Sequence, residues 1–197
     1  MMQYPSISPV KPLTVTDLAA MKLKGEKISC LTAYDASFSA MLDEAGVDIL
    51  LVGDSLGMVV QGHVSTLPVS IEDMVYHTRC VARARKRPFV VSDLPFMSYA
   101  MQASAAENAA KLMQDGGAQM VKLEGPRLEV VSFLVDQGVP VCGHLGLLPQ
   151  SINQLGSYRV QGKGNKEAAK IIDDALRLEQ AGASLLVLEC IPSTLAG

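Results

Sequence analysis

The chain has no tryptophan, and aromatic residues make up only 5% of its 197 positions. Stacking platforms for single-stranded nucleic acid are therefore not expected. A basic excess is lacking too: 17 Lys and Arg stand against 20 Asp and Glu, a formal net charge of −3. That excludes the electrostatic footprint of a nucleic-acid binder. No apolar run reaches the roughly 18 residues of a membrane helix. The polar, Pro-rich start MMQYPSISPVKP lacks the apolar core of a signal peptide. The expectation is a soluble cytoplasmic protein with neither nucleic-acid nor membrane partners. Cys30, Cys80, Cys142 and Cys190 form no CxxC pair, so zinc and thioredoxin-like redox sites have no support. They read as buried small hydrophobes in a reducing compartment. What the chain does have is aliphatic bulk, with 49% hydrophobic residues. That excludes intrinsic disorder and suits one compact domain, or at most two small ones, with a sizeable core.

Four segments share one plan: EAGVDILLVGD (44–54), DGGAQMVKLEG (115–125), DQGVPVCGH (136–144) and QAGASLLVLEC (180–190). Each opens with the end of a helical pattern and a Gly, the residue that best tolerates a left-handed turn. A short apolar run of strand length follows. A polar group then closes it, at Asp54, Glu124, His144 and Glu189, spaced 8, 7, 6 and 7 residues from the Gly. KISCLTAYD (27–35) and RPFVVSDLP (87–95) fit less completely, the second ending at Asp93.

Helical patterns lie between the runs. Phe38, Met41, Leu42 and Ala45 form one expected inward stripe, and Ile171, Ala175 and Leu178 another. Ser70 with Asp73, and Ser104 with Glu107, have capping-box spacing; the second of these helices could equally begin near Met101. The predicted order is β (28–34), α (36–45), β (49–53), α (70–86), β (89–93), α (102–115), β (120–124), α (127–137), β (140–143), α (165–181), β (185–189). A segment with a helix (1–26) precedes this domain (27–197).

Strict β–α alternation with nearly continuous apolar strands predicts a parallel sheet. It is either an open doubly wound sheet or part of a (β/α)₈ barrel. Asp54, Asp93, Glu124, His144 and Glu189 stand at the ends of five consecutive strands. A barrel gathers such ends around one mouth, whereas an open sheet would spread them along an edge. The dinucleotide fingerprint GxGxxG is also absent after the first strand. The barrel is favoured, with six strands counted where closure needs eight. The long segments 54–70 and 144–165 leave the same mouth and read as substrate-covering loops.

Three carboxylates in one small volume, Asp54, Asp93 and Glu124, need a positive occupant. A hard divalent cation that retains waters, Mg²⁺ above all, suits them. Each alone could instead cap a loop or helix. Lys122 shares a strand face with Glu124 and points into the barrel. His144, beside glycines, reads as functional; His63 and His77 fall outside the series, and His77 reads as structural. Glu189 reads as a general base. A 2-oxo acid chelating Mg²⁺ would use all of these groups, its adjacent C–H acidified toward an enolate.

Several stretches resemble the ketopantoate hydroxymethyltransferases: TAYDASFSAMLDEAGVDILLVGDSLGMVVQGHVSTLPVS, SDLPFMSYA, MVKLEG, PVCGHLGLLPQSINQLGSYRVQGKG and LLVLECIP. The resemblance implies a (β/α)₈ TIM barrel of the phosphoenolpyruvate/pyruvate type and a homodecamer. It implies transfer of a one-carbon unit, as a hydroxymethyl group, from 5,10-methylenetetrahydrofolate to 3-methyl-2-oxobutanoate, with water, giving 2-dehydropantoate in pantothenate biosynthesis. By the family pattern Asp54, Asp93 and Glu124 surround Mg²⁺, some through water. Asp54, Ser55, Asp93, Lys122 and His144 hold the 2-oxo acid, and Glu189 is the catalytic acid/base. After LECIPSTLAG the family continues through two more strands, so the barrel is expected to be truncated after the sixth, and its edges exposed. Two alternatives stand beside this: a barrel enzyme breaking C–C or C–P bonds of 2-oxo acids, and a subunit that binds partners without catalysis. Lyases of the first kind carry a catalytic Cys in a mobile loop, whereas Cys142 falls inside a predicted strand.

Overall fold

A computed structural model describes residues 11–196; residues 1–10 of the expected N-terminal segment lie outside the described residues. The order is α1 (Val15–Leu23), β1 (Cys30–Thr32), α2 (Ala36–Glu44), β2 (Ile49–Val52), α3 (Leu56–Val59), α4 (Ile71–Ala84), β3 (Phe89–Asp93), α5 (Gln102–Ala110), β4 (Met120–Glu124), α6 (Leu128–Asp136), β5 (Val141–Gly146), α7 (Ile152–Leu155), α8 (Asn165–Gln180), β6 (Leu185–Glu189) and α9 (Ser193–Ala196). A π-helical turn, Lys111–Asp115, extends α5, and a 3₁₀ turn, Pro149–Ser151, precedes α7. The six strands form one all-parallel sheet in sequential order, β1-β2-β3-β4-β5-β6. That order is the one a (β/α)₈ barrel requires, and it excludes the doubly wound alternative, whose strand order reverses at a switch point.

The predicted punctuation is realised. Gly46, Gly117, Gly138 and Gly182 all adopt positive φ, between 82° and 98°, between a helix and the following strand. Ser70 and Asp73 form a reciprocal capping box at α4. Thr14 and Asp17 do the same for α1.

The apolar residues sort into two layers by strand alternation. Leu50, Val52, Val90, Val121, Leu123 and Val141 point outward into the core shared with the helices. Ile49, Phe89, Val91, Met120 and Cys142 point inward and pack under Leu18 of α1. One backbone and one side-chain hydrogen bond fasten this plug: Leu13 N donates to Arg87 O, and Gln119 Nε2 donates to Leu13 O, each at 2.8 Å. Helix α1 therefore covers the N-terminal ends of the strands with apolar side chains. The C-terminal ends are left to the polar groups.

Four expectations need correction. On α2, Phe38, Met41 and Ala45 face outward; Leu42 packs on the core as expected, beside the buried Ser39, whose Oγ donates to Val81 O at 2.8 Å. The small serine lets α2 seat against α4, and the rest of the apolar stripe turns away from the core. Helix α5 starts at Gln102, the expected alternative start near Met101, and Ser104 is its third residue, accepting from Met101 N, rather than an N-cap paired with Glu107. Strand β5 runs to Gly146 because β6 pairs with it as far as Gly146 opposite Glu189, so His144 lies within the strand rather than after it. Of the cysteines only Cys142 is buried; Cys30, on β1, and Cys190, after β6, are exposed and Cys80 is half-buried. Thr32 and Leu31 of β1 are exposed with Cys30.

Candidate active site

Alternation along each strand decides which polar groups meet. Asp93 ends β3, Lys122 and Glu124 lie two residues apart on β4, and His144 lies on β5. All four are buried and point to the inner face. Asp54 follows β2 in the turn into α3, also buried, and its backbone N donates to Asp93 Oδ2 at 3.1 Å. Glu189 ends β6 with its side chain 38% exposed at the rim. The structure thus brings together all five strand-end groups named by the sequence, with Lys122 among them.

The contacts run as a chain across neighbouring strands. Lys122 Nζ stands 2.9 Å from Asp93 Oδ1 and 3.4 Å from His144 Nδ1. The other ring nitrogen, Nε2, stands 3.3 Å from Glu189 Oε2. Glu124 Oε1 lies 3.7 Å from His144 Nδ1. Burial alone would strip Lys122 of its proton, but Asp93 and Asp54 outweigh it and hold the ammonium charged. Burial holds His144 below the ordinary histidine range, so the ring is neutral. An ammonium donating to Nδ1 leaves the ring proton on Nε2, the nitrogen that faces Glu189.

The remaining carboxylates carry the electrostatic cost. Burial first, then Asp93, pushes Asp54 up to about 7. Burial, with Asp54 and Asp93 overcoming Lys122, pushes Glu124 up to about 8. One ammonium does not neutralise three buried carboxylates.

Ser55, half-buried at the start of α3, shares a 2.8 Å hydrogen bond with the Tyr34 hydroxyl. Its Oγ would lie 2.8 Å from a Cβ placed on Gly53, so Gly53 permits this approach. His77 donates Nδ1–H to Tyr34 O at 2.7 Å, the structural role expected of it. His63 is exposed. The glycines flanking His144 serve packing: Gly143 admits Leu178 of α8, and Gly146 admits the Glu189 carbonyl.

Sequence reasoning missed Gln150 and Tyr99. Gln150 Nε2 donates to Asp54 Oδ2 at 2.8 Å and to Leu94 O at 3.0 Å, while its backbone N donates to Glu124 Oε2 at 3.1 Å. The Tyr99 hydroxyl donates to Gln150 Oε1 at 2.6 Å and accepts from Glu124 N at 3.3 Å. Both residues lie inside stretches already singled out, PQS and SDLPFMSYA, but no periodicity marks them. The mouth loops also meet, where the Tyr158 hydroxyl lies 3.8 Å from Met58 Sδ.

Among the described residues no three His, Cys, Asp or Glu side chains form a ready-made metal cage. The donor set nevertheless fits a hard cation that keeps waters. Among the described residues, the buried polar atoms without a hydrogen-bond partner include two members of this site, Asp93 Oδ1, which meets only the Lys122 charge, and His144 Nε2, which faces Glu189. Such atoms are uncommon unless an ion, water or ligand completes them.

A model of the family described as ketopantoate hydroxymethyltransferase matches residues 12–197. The chain belongs to the ketopantoate hydroxymethyltransferase family. Two curated members, each named 3-methyl-2-oxobutanoate hydroxymethyltransferase, come from Methylococcus capsulatus and Nitrosococcus oceani. The first is 58% identical over 187 residues, covering 94% of this chain and 70% of the relative. The second is 59% identical over 185 residues, covering 93% and 70%. Solved structures widen the fold comparison. A phosphonopyruvate hydrolase, in complex with oxalate and Mg²⁺, matches with TM-score 0.66 at 12% identity, over 90% of this chain and 63% of that one. A 2,3-dimethylmalate lyase of the PEP mutase/isocitrate lyase superfamily matches with TM-score 0.66 at 15% identity, over 93% and 65%. At such identities the likeness shows the fold alone: six strands of the barrel type shared with that superfamily. The hydroxymethyltransferase family is a family of enzymes. Burial pushes the Cys142 thiol up to about 12, leaving no thiolate at neutral pH.

Proposed function

We propose that this chain transfers the one-carbon unit of 5,10-methylenetetrahydrofolate, with water, to 3-methyl-2-oxobutanoate as a hydroxymethyl group, giving 2-dehydropantoate for pantothenate biosynthesis and releasing tetrahydrofolate. The observation that carries the reading is the line Asp93–Lys122–His144–Glu189, which joins a buried cation to a rim carboxylate in a chain of this family. Asp54, Asp93 and Glu124 would hold Mg²⁺, some of them through water. Mg²⁺, when bound, polarises the 2-oxo group, acidifies the adjacent C–H and stabilises the charge that proton removal leaves.

The protein's own residues do the rest. Lys122, charged and buried, draws the substrate carboxylate inward, and Ser55 offers a hydroxyl beside Asp54. His144, neutral with its proton on Nε2, presents that N–H toward Glu189 or toward a substrate oxygen in the same space. Glu189 takes the C3 proton as general base; its partial exposure at the rim lets that proton leave to solvent. The folate co-substrate approaches through the same mouth, past the loops that meet at Met58 and Tyr158. The reading includes a cytoplasmic homodecamer, which light scattering of the purified protein tests. The activity itself is tested by incubating the chain with 3-methyl-2-oxobutanoate, 5,10-methylenetetrahydrofolate and Mg²⁺. 2-Dehydropantoate is the expected product, and its absence from folded protein of confirmed mass overturns the assignment.

A further inference from the structure

Gln150 stands apart from the strand-end groups because it comes from a mouth loop, the 3₁₀ turn Pro149–Ser151. It is nevertheless buried, and every polar atom of its side chain is engaged. The amide nitrogen bridges Asp54 Oδ2 and Leu94 O, and the amide oxygen accepts from Tyr99. Its backbone N–H is engaged as well, with Glu124 Oε2. One residue thus fixes one oxygen of each of two buried carboxylates, Asp54 and Glu124. Asp93 has its own tether, since Oδ2 accepts from Asp54 N.

We propose that Gln150 is a positioning residue that orients Asp54 and Glu124 for a divalent cation and so couples seating of the 147–156 loop to occupancy of the site. The inference rests on the metal reading given above and deepens it. The amide is chemically apt: it donates to a carboxylate without adding charge to a site already crowded with negative groups. Tyr99 fixes the amide the right way round, since its hydroxyl donates to Oε1 and so presents Nε2 to Asp54. The coupling follows from reciprocity. A loop that orders the carboxylates must itself be ordered by whatever the carboxylates bind. A residue that merely anchored the loop would change loop mobility and leave cation affinity untouched.

Mn²⁺ is the probe, titrated by calorimetry into the full 197-residue chain and its variants, with Mg²⁺-dependent hydrogen exchange of residues 147–156 as the second readout. Partners that orient metal ligands typically contribute about 10–100-fold to affinity. Gln150→Ala should weaken Mn²⁺ binding by about that factor and abolish the Mg²⁺-dependent slowing of exchange in the loop. Tyr99→Phe, which removes a single hydrogen bond, should weaken Mn²⁺ binding in the same direction by a smaller factor, and it decides the matter if Gln150→Ala does not fold. Wild-type affinity in the folded variant, or Mg²⁺ protection of the loop that survives it, overturns the role of Gln150 alone. Absence of Mn²⁺ binding by the wild-type chain overturns this inference and the metal reading together.

Discussion

Lys122 Nζ lies 2.9 Å from Asp93 Oδ1 at directly paired positions of β3 and β4, with both side chains about 5% exposed or less. The pair is the buried centre from which the rest of the site is arranged. Its attraction offsets the desolvation of both charges only while both are present. Lys122 is thereby held charged beside His144, and the proton on His144 is set by the same contact.

Breaking this pair on one side should be costly. Asp93→Asn removes the closest partner of a buried ammonium, which Asp54 and Glu124 replace only in part, and a loss of up to about 3–5 kcal/mol is expected. Urea unfolding measures it, and the double variant Asp93→Asn/Lys122→Met should recover part of the loss. Calorimetry with 3-methyl-2-oxobutanoate, with and without Mg²⁺, should show the metal-dependent part of binding weakened in Asp93→Asn. Equal wild-type binding in both conditions would remove the chelation model.

Glu189→Gln should retain Mg²⁺ and 2-oxo acid binding. It should slow exchange of the C3 hydrogen with deuterated solvent by about 10²–10⁴, the usual contribution of a general base. Proton NMR follows the exchange. Unchanged exchange with lost metal affinity would make Glu189 a ligand; unchanged exchange with lost hydroxymethyl transfer would move its role to the folate-dependent step.

The raised carboxylates give a pH signature. Asp54 at about 7 and Glu124 at about 8 hold protons in the folded chain that the unfolded chain, near 4, has already released. Stability contributed this way is present at low pH and is lost as pH rises through the folded values. His144, held low, works in the opposite direction but only up to about pH 6.5. Between pH 7 and 8.5 the melting temperature in EDTA should therefore fall by a few degrees, and Mg²⁺ should suppress the fall. A melting temperature that rises with pH in EDTA would contradict the assignment.

Gly146→Ala tests the β5–β6 seam. Gly146 has φ +91°, and a Cβ there would come 2.1 Å from the Glu189 carbonyl oxygen. The left-handed conformation alone costs a larger residue about 1–3 kcal/mol, and the clash must also move the backbone of Glu189. The variant should unfold at lower urea and slow C3 exchange even in its folded fraction. Wild-type exchange would show that the Glu189 backbone is not the anchor of its carboxylate.

Much of this site was legible because a parallel strand advertises its own end. Apolar runs bracketed by glycine and a polar residue located Asp54, Asp93, Glu124, His144 and Glu189, and alternation put Lys122 on the inner face. Gln150 was not legible, because its partner Asp54 lies 96 residues away and no local pattern distinguishes a bonded glutamine from a solvated one. The α2 stripe failed for a related reason. Periodicity counts apolar residues, whereas the packing of α2 was settled by a serine small enough to reach the Val81 carbonyl of α4.

The sequence by itself determined the alternation of strands and helices, the parallel order, the plane in which the polar groups lie and the family to which the chain belongs. These depend on local propensity and on period, which a linear chain carries within a dozen residues. Only the tertiary structure decided which carboxylate meets which donor, that Lys122 pairs with Asp93, and that a loop glutamine fastens Asp54 to Glu124. Those relations depend on strand register and loop path, and a contact shorter than 3 Å between distant residues is fixed by the packing of the whole sheet.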